Sequence, residues 1–423
     1  MPSATELLQR LIRHNTVNPP GDERLLQEEL AKDLQDVGFE VTLIGRTPER
    51  PNLVASLKGG GQRPVLGLLG HVDTVLADAT EWRHDPWSGD LIDGFVWGRG
   101  AQDMKMQVAS QVAAAVELAR SGWRPAQGEL KIIAVVDEET GGGDGAIWLT
   151  ANHPELVRCD YLLNEGAGAL IPFDGQELYG VCTSEKGIAR FTLSTSGAAG
   201  HASMPGVADN ALPKLAPVLE ALASNTPRPD ITEAPRVLLD ALGVKDLAAL
   251  RAKDPDLAGF VEPMLSVTFA PTMISAGEKI NVIPASARLT VDCRVPPGHD
   301  DVTARGRLAE ILPNADGYTV DFTEVVVGNS SPVDTPLFAA IERWLVSERP
   351  EAKTVPTMLP AFTDSRTFRD AFPGIAAYGF FPQREMTLYE SWGLVHGKDE
   401  RVAAADVEWA ATAYKAIAQD LLG

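Results

Sequence analysis

The chain has 423 residues, 44% of them hydrophobic and 22% charged, with a formal net charge of −21. That length points to two domains, and that composition excludes a globally disordered chain. The acidic field excludes phosphate-rich partners: no nucleic acid and no anionic membrane surface is expected.

The N-terminus carries no basic stretch followed by an apolar one, so a secretory signal is not expected. The longest apolar runs, Val65–Leu69 and Ile132–Val136, are strand-sized and too short to span a bilayer. Three widely spaced cysteines, Cys159, Cys182 and Cys293, fit reduced structural thiols in a cytoplasmic protein.

In chain order, Glu23–Val37 reads as an amphipathic helix stopped by Gly38, followed by strands at Phe39–Ile44 and Asn52–Leu57. Val65–Leu69 is a buried strand that runs into Gly70-His71-Val72-Asp73. Met104–Arg120 is a helix, Leu130–Val136 a second buried strand, and Asp160–Leu163 a third, ending in Asn-Glu-Gly. Continuous apolar strands alternating with helices imply an α/β fold, a mostly parallel sheet with helices on both faces. Ligands in such sheets bind at the carboxyl ends of the strands, where the polar clusters of this chain fall.

Near Gly187 the pattern changes to strand–helix–strand–strand–helix–strand: Ile188–Ser194, Asn210–Ala223, Leu265–Ala270, Ala285–Asp292, Asp301–Ile311 and Tyr318–Glu324. That order implies an inserted α+β sandwich, with the Pro-rich stretch Thr226–Pro263 as a further insertion holding helical pieces. From Pro336 the chain returns to α/β: a helix to Val346, a strand at Ala376–Phe381 and a last helix at Ala404–Leu422. The expected division is 1–186 and 327–423 for a catalytic domain, and 187–326 for an inserted lid or dimerisation domain.

The candidate chemistry lies at the strand ends. His71 and Asp73 flank one residue, so in extended backbone both side chains leave the same face. Asp103 precedes a helix in Trp97-Gly-Arg-Gly-Ala-Gln-Asp, where a carboxylate serves as a ligand or as a simple cap. Asp137-Glu138-Glu139 packs three acids at a buried strand end, and these repel one another unless cations offset them. Glu165 repeats the theme after the next strand, and His396 follows in Trp392-Gly-Leu-Val-His. Each motif alone also reads as an ordinary loop.

Together, in this order, these residues resemble the zinc metallopeptidase family of aminoacylase, carboxypeptidase G, acetylornithine deacetylase and succinyl-diaminopimelate desuccinylase. Asn18-Pro-Pro-Gly, Gly200-His-Ala-Ser-Met-Pro, Asn281-Val-Ile-Pro and Thr363-Asp-Ser-Arg match as well, so the resemblance spans nearly the whole chain. It implies two Zn2+ per chain, with Co2+ or Mn2+ able to substitute. His71 and Glu165 would bind one ion, Glu139 and His396 the other, and Asp103 would bridge them. Asp73 would orient His71, and Glu138 would be the general base on a bridging water. His201, acting on the partner subunit of a homodimer, would stabilise the oxyanion. Asn281 would touch the substrate, and Arg366, with a weaker case for Arg294, would take its carboxylate. The expected activity is hydrolysis of the amide bond in a small N-acyl amino acid or short peptide with a free carboxylate. The competing reading is a catalytically silent relative that binds peptides or is structural. His14, His84, His153 and His299 match no part of the pattern.

Overall fold

The structure, a computed structural model, describes residues 3–312 and 317–423. The chain forms two compact units: Met1–Thr183 with Ser331–Thr357 and Thr363–Gly423, and Ser184–Ser330 with Met358–Phe362.

The first unit is built on a ten-stranded sheet whose centre is parallel. Four strands make that centre: β1 (Val65–His71), β2 (Glu129–Val135), β3 (Tyr161–Asn164) and β4 (Ala376–Gly379). Their spatial order is β2-β1-β3-β4. Antiparallel strands flank this block: Asn52–Lys58 and Glu40–Ile44 beyond β2, and Gln176–Glu185 and Ala169–Phe173 beyond β4. The α/β class expected from the sequence is observed, with the parallel strands concentrated in the middle of the sheet.

The sequence of β1, Val-Leu-Gly-Leu-Leu-Gly-His, is buried throughout. Leu66 and Leu68 enter one core, with the helices Lys105–Arg120 and Ala404–Leu422. Val65 and Leu69 enter another, with the helices Ala146–Asn152 and Asp364–Ala371. Alternation along the strand therefore seals both faces, and each buried aliphatic side chain contributes roughly 1.5–3 kcal/mol. Gly70 lets the next helix come close. A Cβ there would lie 2.7 Å from Val108 Cγ2 and 3.1 Å from Met104 Cε. All four central strands end on the same side, because β1 pairs parallel with β2 and β3, and β4 pairs parallel with β3.

The second unit holds a four-stranded antiparallel sheet in the order Thr268–Ala276, Ser286–Val295, Gly187–Ser196, Thr319–Val326. Leu215, Val218, Leu222, Ala304 and Leu308 of its helical segments cover the inward side chains Phe191, Leu193, Leu289 and Val291. Two boundaries differ from the sequence reading. The strand expected at Leu265–Ala270 runs from Thr268 to Ala276, because a bulge between Pro271 and Met273 absorbs the proline on an edge strand. The helix expected from Asn210 opens as a 3-10 turn at Leu212–Leu215 and becomes α-helical only at Ala216–Ser224. Thr226–Pro263 contains three short helices: Glu233–Ala241, Leu247–Lys253 and Pro255–Val261. Among the described residues, no helix is long and apolar enough to cross a membrane.

Candidate metal centre

The ends of the parallel strands carry the candidate ligands. His71 is the last residue of β1 and its side chain is 1% exposed. Its Nδ1 donates to the backbone carbonyl of Asp73 at 3.0 Å, which leaves Nε2 free to act as a ligand. Nε2 faces Asp103 Oδ1 at 3.0 Å and Glu165 Oε1 at 3.7 Å. His396 Nε2 lies 3.1 Å from Asp103 Oδ2 and 3.1 Å from Glu139 Oε2. Asp103 thus presents one oxygen to each imidazole. The sequence left open whether Asp103 caps the next helix. Met104 occupies the cap position, with no side-chain cap bond, and the Asp103 carboxylate turns to the two histidines.

Glu165 follows β3 and is held from beside. A Cβ on Gly379, the last residue of β4, would lie 1.9 Å from the Glu165 carbonyl oxygen, so only glycine allows this approach. Glu138 and Glu139 sit in a 3-10 turn after β2, entered through Asp137 at φ 72°. Asp73 holds that turn. Its two carboxylate oxygens accept the N–H groups of Glu138 and Glu139, each at 3.2 Å, and Asn18 Nδ2 at 2.9 Å. Asn18 also donates to Asp137, which Arg50 binds in turn while pairing with the fully buried Glu23. The Asp73 carboxylate is nearer these N–H groups than His71 Nδ1, from which it lies 3.5 Å. Asp73 therefore ties the histidine to the acidic turn.

The two neighbouring glutamates are placed differently. Glu139 accepts Val75 N–H at 3.2 Å with one oxygen and faces His396 with the other. The Glu138 carboxylate makes no hydrogen bond among the described residues, and lies with His71 and Glu165 in a group whose ligand atoms are all within 4.8 Å. Desolvation, reinforced by the charges of Glu165, Asp364 and Asp103, pushes the Glu138 carboxyl well above the usual carboxylate range. Desolvation and the Asp103 charge do the same to Glu165. Hydrogen bonds to Asp103 and Glu139 raise His396 to about 10. Burial works against a charged His71, but its bonds to Asp103 and Asp73 prevail and hold its pKa well above that of free imidazole.

The donor set fits two divalent ions. Metal–ligand bonds of ~2.1 Å meeting at a tetrahedral angle place donor atoms ~3.4 Å apart. The His–carboxylate separations of 3.0, 3.1, 3.1 and 3.7 Å bracket that value. Nitrogen and carboxylate donors without thiolate are those of an open site, not of a closed structural one.

Residues 67–420 match peptidase family M20/M25/M40. The chain belongs to this family. A carboxypeptidase S-like protein of Dictyostelium discoideum is 30% identical over 378 residues, covering 83% of this chain and 70% of that protein. A succinyl-diaminopimelate desuccinylase of Methylorubrum extorquens is 30% identical over 425 residues, covering 96% and 95%. The fold is shared with an M20 family metallo-carboxypeptidase from Sulfolobus solfataricus, at a TM-score of 0.76 and 17% identity over 100% of this chain and 99% of that one. It is also shared with a dinuclear metal binding peptidase of the M20 family from Bacillus subtilis, at a TM-score of 0.59 and 13% identity over 99% and 97%. The chain is accordingly an M20-family metallohydrolase.

The remaining candidates are divided between the two units of this M20-family chain. His201 and Asn281 belong to the second unit, where Gly200–His201 pairs with Val282–Ile283 and the Asn281 carbonyl accepts Ala202 N–H at 3.0 Å. Both residues are exposed. Arg294, in the same unit, pairs with Asp292 at 2.7 Å. Arg366 sits on the helix Asp364–Ala371 of the first unit and pairs with Asp370 at 3.0 Å. Sequence reasoning missed Asp364. It was visible only as one letter of Thr363-Asp-Ser-Arg, yet it is buried and its charge acts on Glu138 and Glu165. It also missed Glu400, buried four residues after His396.

Proposed function

We propose that the protein is a two-zinc amidohydrolase that cleaves a small N-acyl amino acid or short peptide carrying a free carboxylate. The observation that carries this reading is Asp103 offering one oxygen to His71 and the other to His396. His71 and Glu165 would hold one ion, Glu139 and His396 the other, with Asp103 between them. The bound ions supply Lewis acidity toward a carbonyl and toward a water.

The rest is work for the side chains. Glu138 takes the proton of the attacking water at its free carboxylate and returns it to the leaving amine nitrogen. Its pKa, raised by desolvation, is shifted in the direction that strengthens a carboxylate as a base. Asp73 keeps His71 and the Glu138–Glu139 turn in one arrangement. His201 donates to the oxyanion and Asn281 contacts the substrate.

His201 lies outside the unit that holds the ligands, so we assign it to the site of a second copy in a homodimer. The edge strand Thr268–Ala276 supports that assembly. Among the described residues it pairs within the sheet on one side only and exposes Met273 and Ile274, a liability that a two-fold partner covers by extending the sheet. Three buried free cysteines support a cytoplasmic setting. The experiment for this reading is a screen of N-acyl amino acids and dipeptides with zinc or cobalt. Release of the free amino acid is expected, and no turnover across both classes would exclude it.

Arg366 is assigned to the substrate carboxylate. Its partner Asp370 is 55% exposed while Arg366 is 16% exposed, so an incoming carboxylate can compete for the guanidinium from the open side of the pair. Arg366→Ala should weaken use of free-acid substrates by ~1.5–3 kcal/mol in kcat/KM and affect the matching esters much less. Equal losses on both would make Arg366 structural. Arg294, already engaged by Asp292, is assigned the lesser share of this recognition.

A further inference from the structure

His71, Glu165 and Glu139 are fixed by strand ends and the Asp73-held turn, but Asp103 and His396 ride on loops. One buried ion pair holds both loops. Arg99 Nη1 meets Glu400 Oε2 at 2.6 Å, with side-chain exposures of 4% and 0%. Glu400 also accepts three backbone N–H groups: Gly100 at 3.2 Å, Gln102 at 2.6 Å and Asp103 itself at 3.0 Å. Its own carbonyl accepts Gly98 N–H at 3.0 Å. The other end of Arg99 reaches forward. Its Nη2 lies 3.4 Å from the His396 carbonyl and 3.3 Å from that of Leu76, and its guanidinium stacks over the Trp82 ring at 5.2 Å. His396 is a non-glycine residue at φ 58°, a conformation that its surroundings must impose.

We infer that Arg99 and Glu400 are positioning residues that set the spacing between Asp103 and His396, and so govern occupancy of the metal site these two share with Glu139. The inference rests on the two-metal reading above. Four donors converging on one buried carboxylate leave it a single arrangement, and that arrangement fixes the backbone on both sides of the gap. The effect is unequal between the two sites. The His71–Glu165 site keeps two ligands on strand ends when the pair is damaged. The His396–Glu139 site has two of its three ligands on the loops that the pair controls.

The test is a cobalt titration of metal-depleted protein, followed by calorimetry and by the visible absorption of bound Co2+. Wild-type protein should take two equivalents, and fewer than two would overturn the two-metal reading itself. Given two, Glu400→Gln should retain one equivalent at wild-type affinity and bind the second ~10–100-fold more weakly, the scale for residues supporting metal ligands. Its amide places N–H groups against the donors that the carboxylate accepted. Arg99→Lys keeps the charge but loses the fork that spans Glu400 and the His396 carbonyl, and should show the same selective loss. If Glu400→Gln does not fold by circular dichroism, Arg99→Lys decides alone. Two unchanged affinities, or equal weakening of both, would overturn the inference.

Discussion

Glu138→Gln is expected to lower kcat by ~10²–10⁴-fold while leaving the bound metal unchanged. The two adjacent glutamates are separated by what they touch. Glu139 spends one oxygen on Val75 N–H and turns the other to His396, the posture of a ligand. Glu138 has no hydrogen bond to its carboxylate among the described residues and sits in the group with His71 and Glu165. Desolvation there, with the charges of Glu165, Asp364 and Asp103, pushes its carboxyl well above the usual carboxylate range. Glutamine keeps the shape and removes the basicity. Steady-state kinetics with elemental analysis checks the expectation. A variant that loses metal, and recovers most of its turnover when reloaded, would exchange the assignments of Glu138 and Glu139.

His201→Ala should cost ~10²–10³ in turnover, the range for one lost oxyanion donor. The local geometry leaves Nε2 of the imidazole as the nitrogen that would donate. Its Nδ1 accepts Ser203 N–H at 3.2 Å and faces the Ser203 hydroxyl at 2.8 Å, so the ring proton resides on Nε2. Mixing His201→Ala with Glu138→Gln tests whether it acts across a dimer. If it does, subunit exchange makes one site with both defects and one with neither, and activity returns toward half per mixed dimer. Verified exchange with activity at the level of the parents would place His201 in its own subunit's site or outside catalysis.

How legible the site was depended on where each residue sits. His71, Glu138, Glu139 and Glu165 follow apolar strands, and an apolar run broken by a polar cluster is visible in one dimension. Asp103 was ambiguous because a carboxylate before a helix caps as readily as it ligates. Only the approach of His71 and His396, respectively 32 and 293 positions away by residue number, removes the ambiguity. Supporting residues were invisible for the same reason. Arg99 and Glu400 lie 301 positions apart, and neither shows periodicity or a motif that names its partner. Asn18 was noticed inside Asn-Pro-Pro-Gly, but its bonds to Asp73 and Asp137 exist only in three dimensions. The fold followed the same rule. The buried parallel strands ending at His71, Val135 and Asn164 are legible as apolar runs, but the equally buried Gln176–Glu185 and Lys353–Leu359 are not. The edge strand Thr268–Ala276, with Met273 and Ile274 exposed and a proline inside, gives no clean alternation and is legible only in part, as Leu265–Ala270. The helix Ala4–Arg13 was overlooked although Ser3 and Glu6 form a capping box at its start.

The central claim is that five side chains gathered by three strand ends and two loops hold two divalent ions through a shared Asp103. Elemental analysis of the wild-type protein, loaded with zinc and freed of excess by gel filtration, tests this most directly. The account predicts two zinc equivalents per chain. A folded protein that carries one equivalent or none would contradict it.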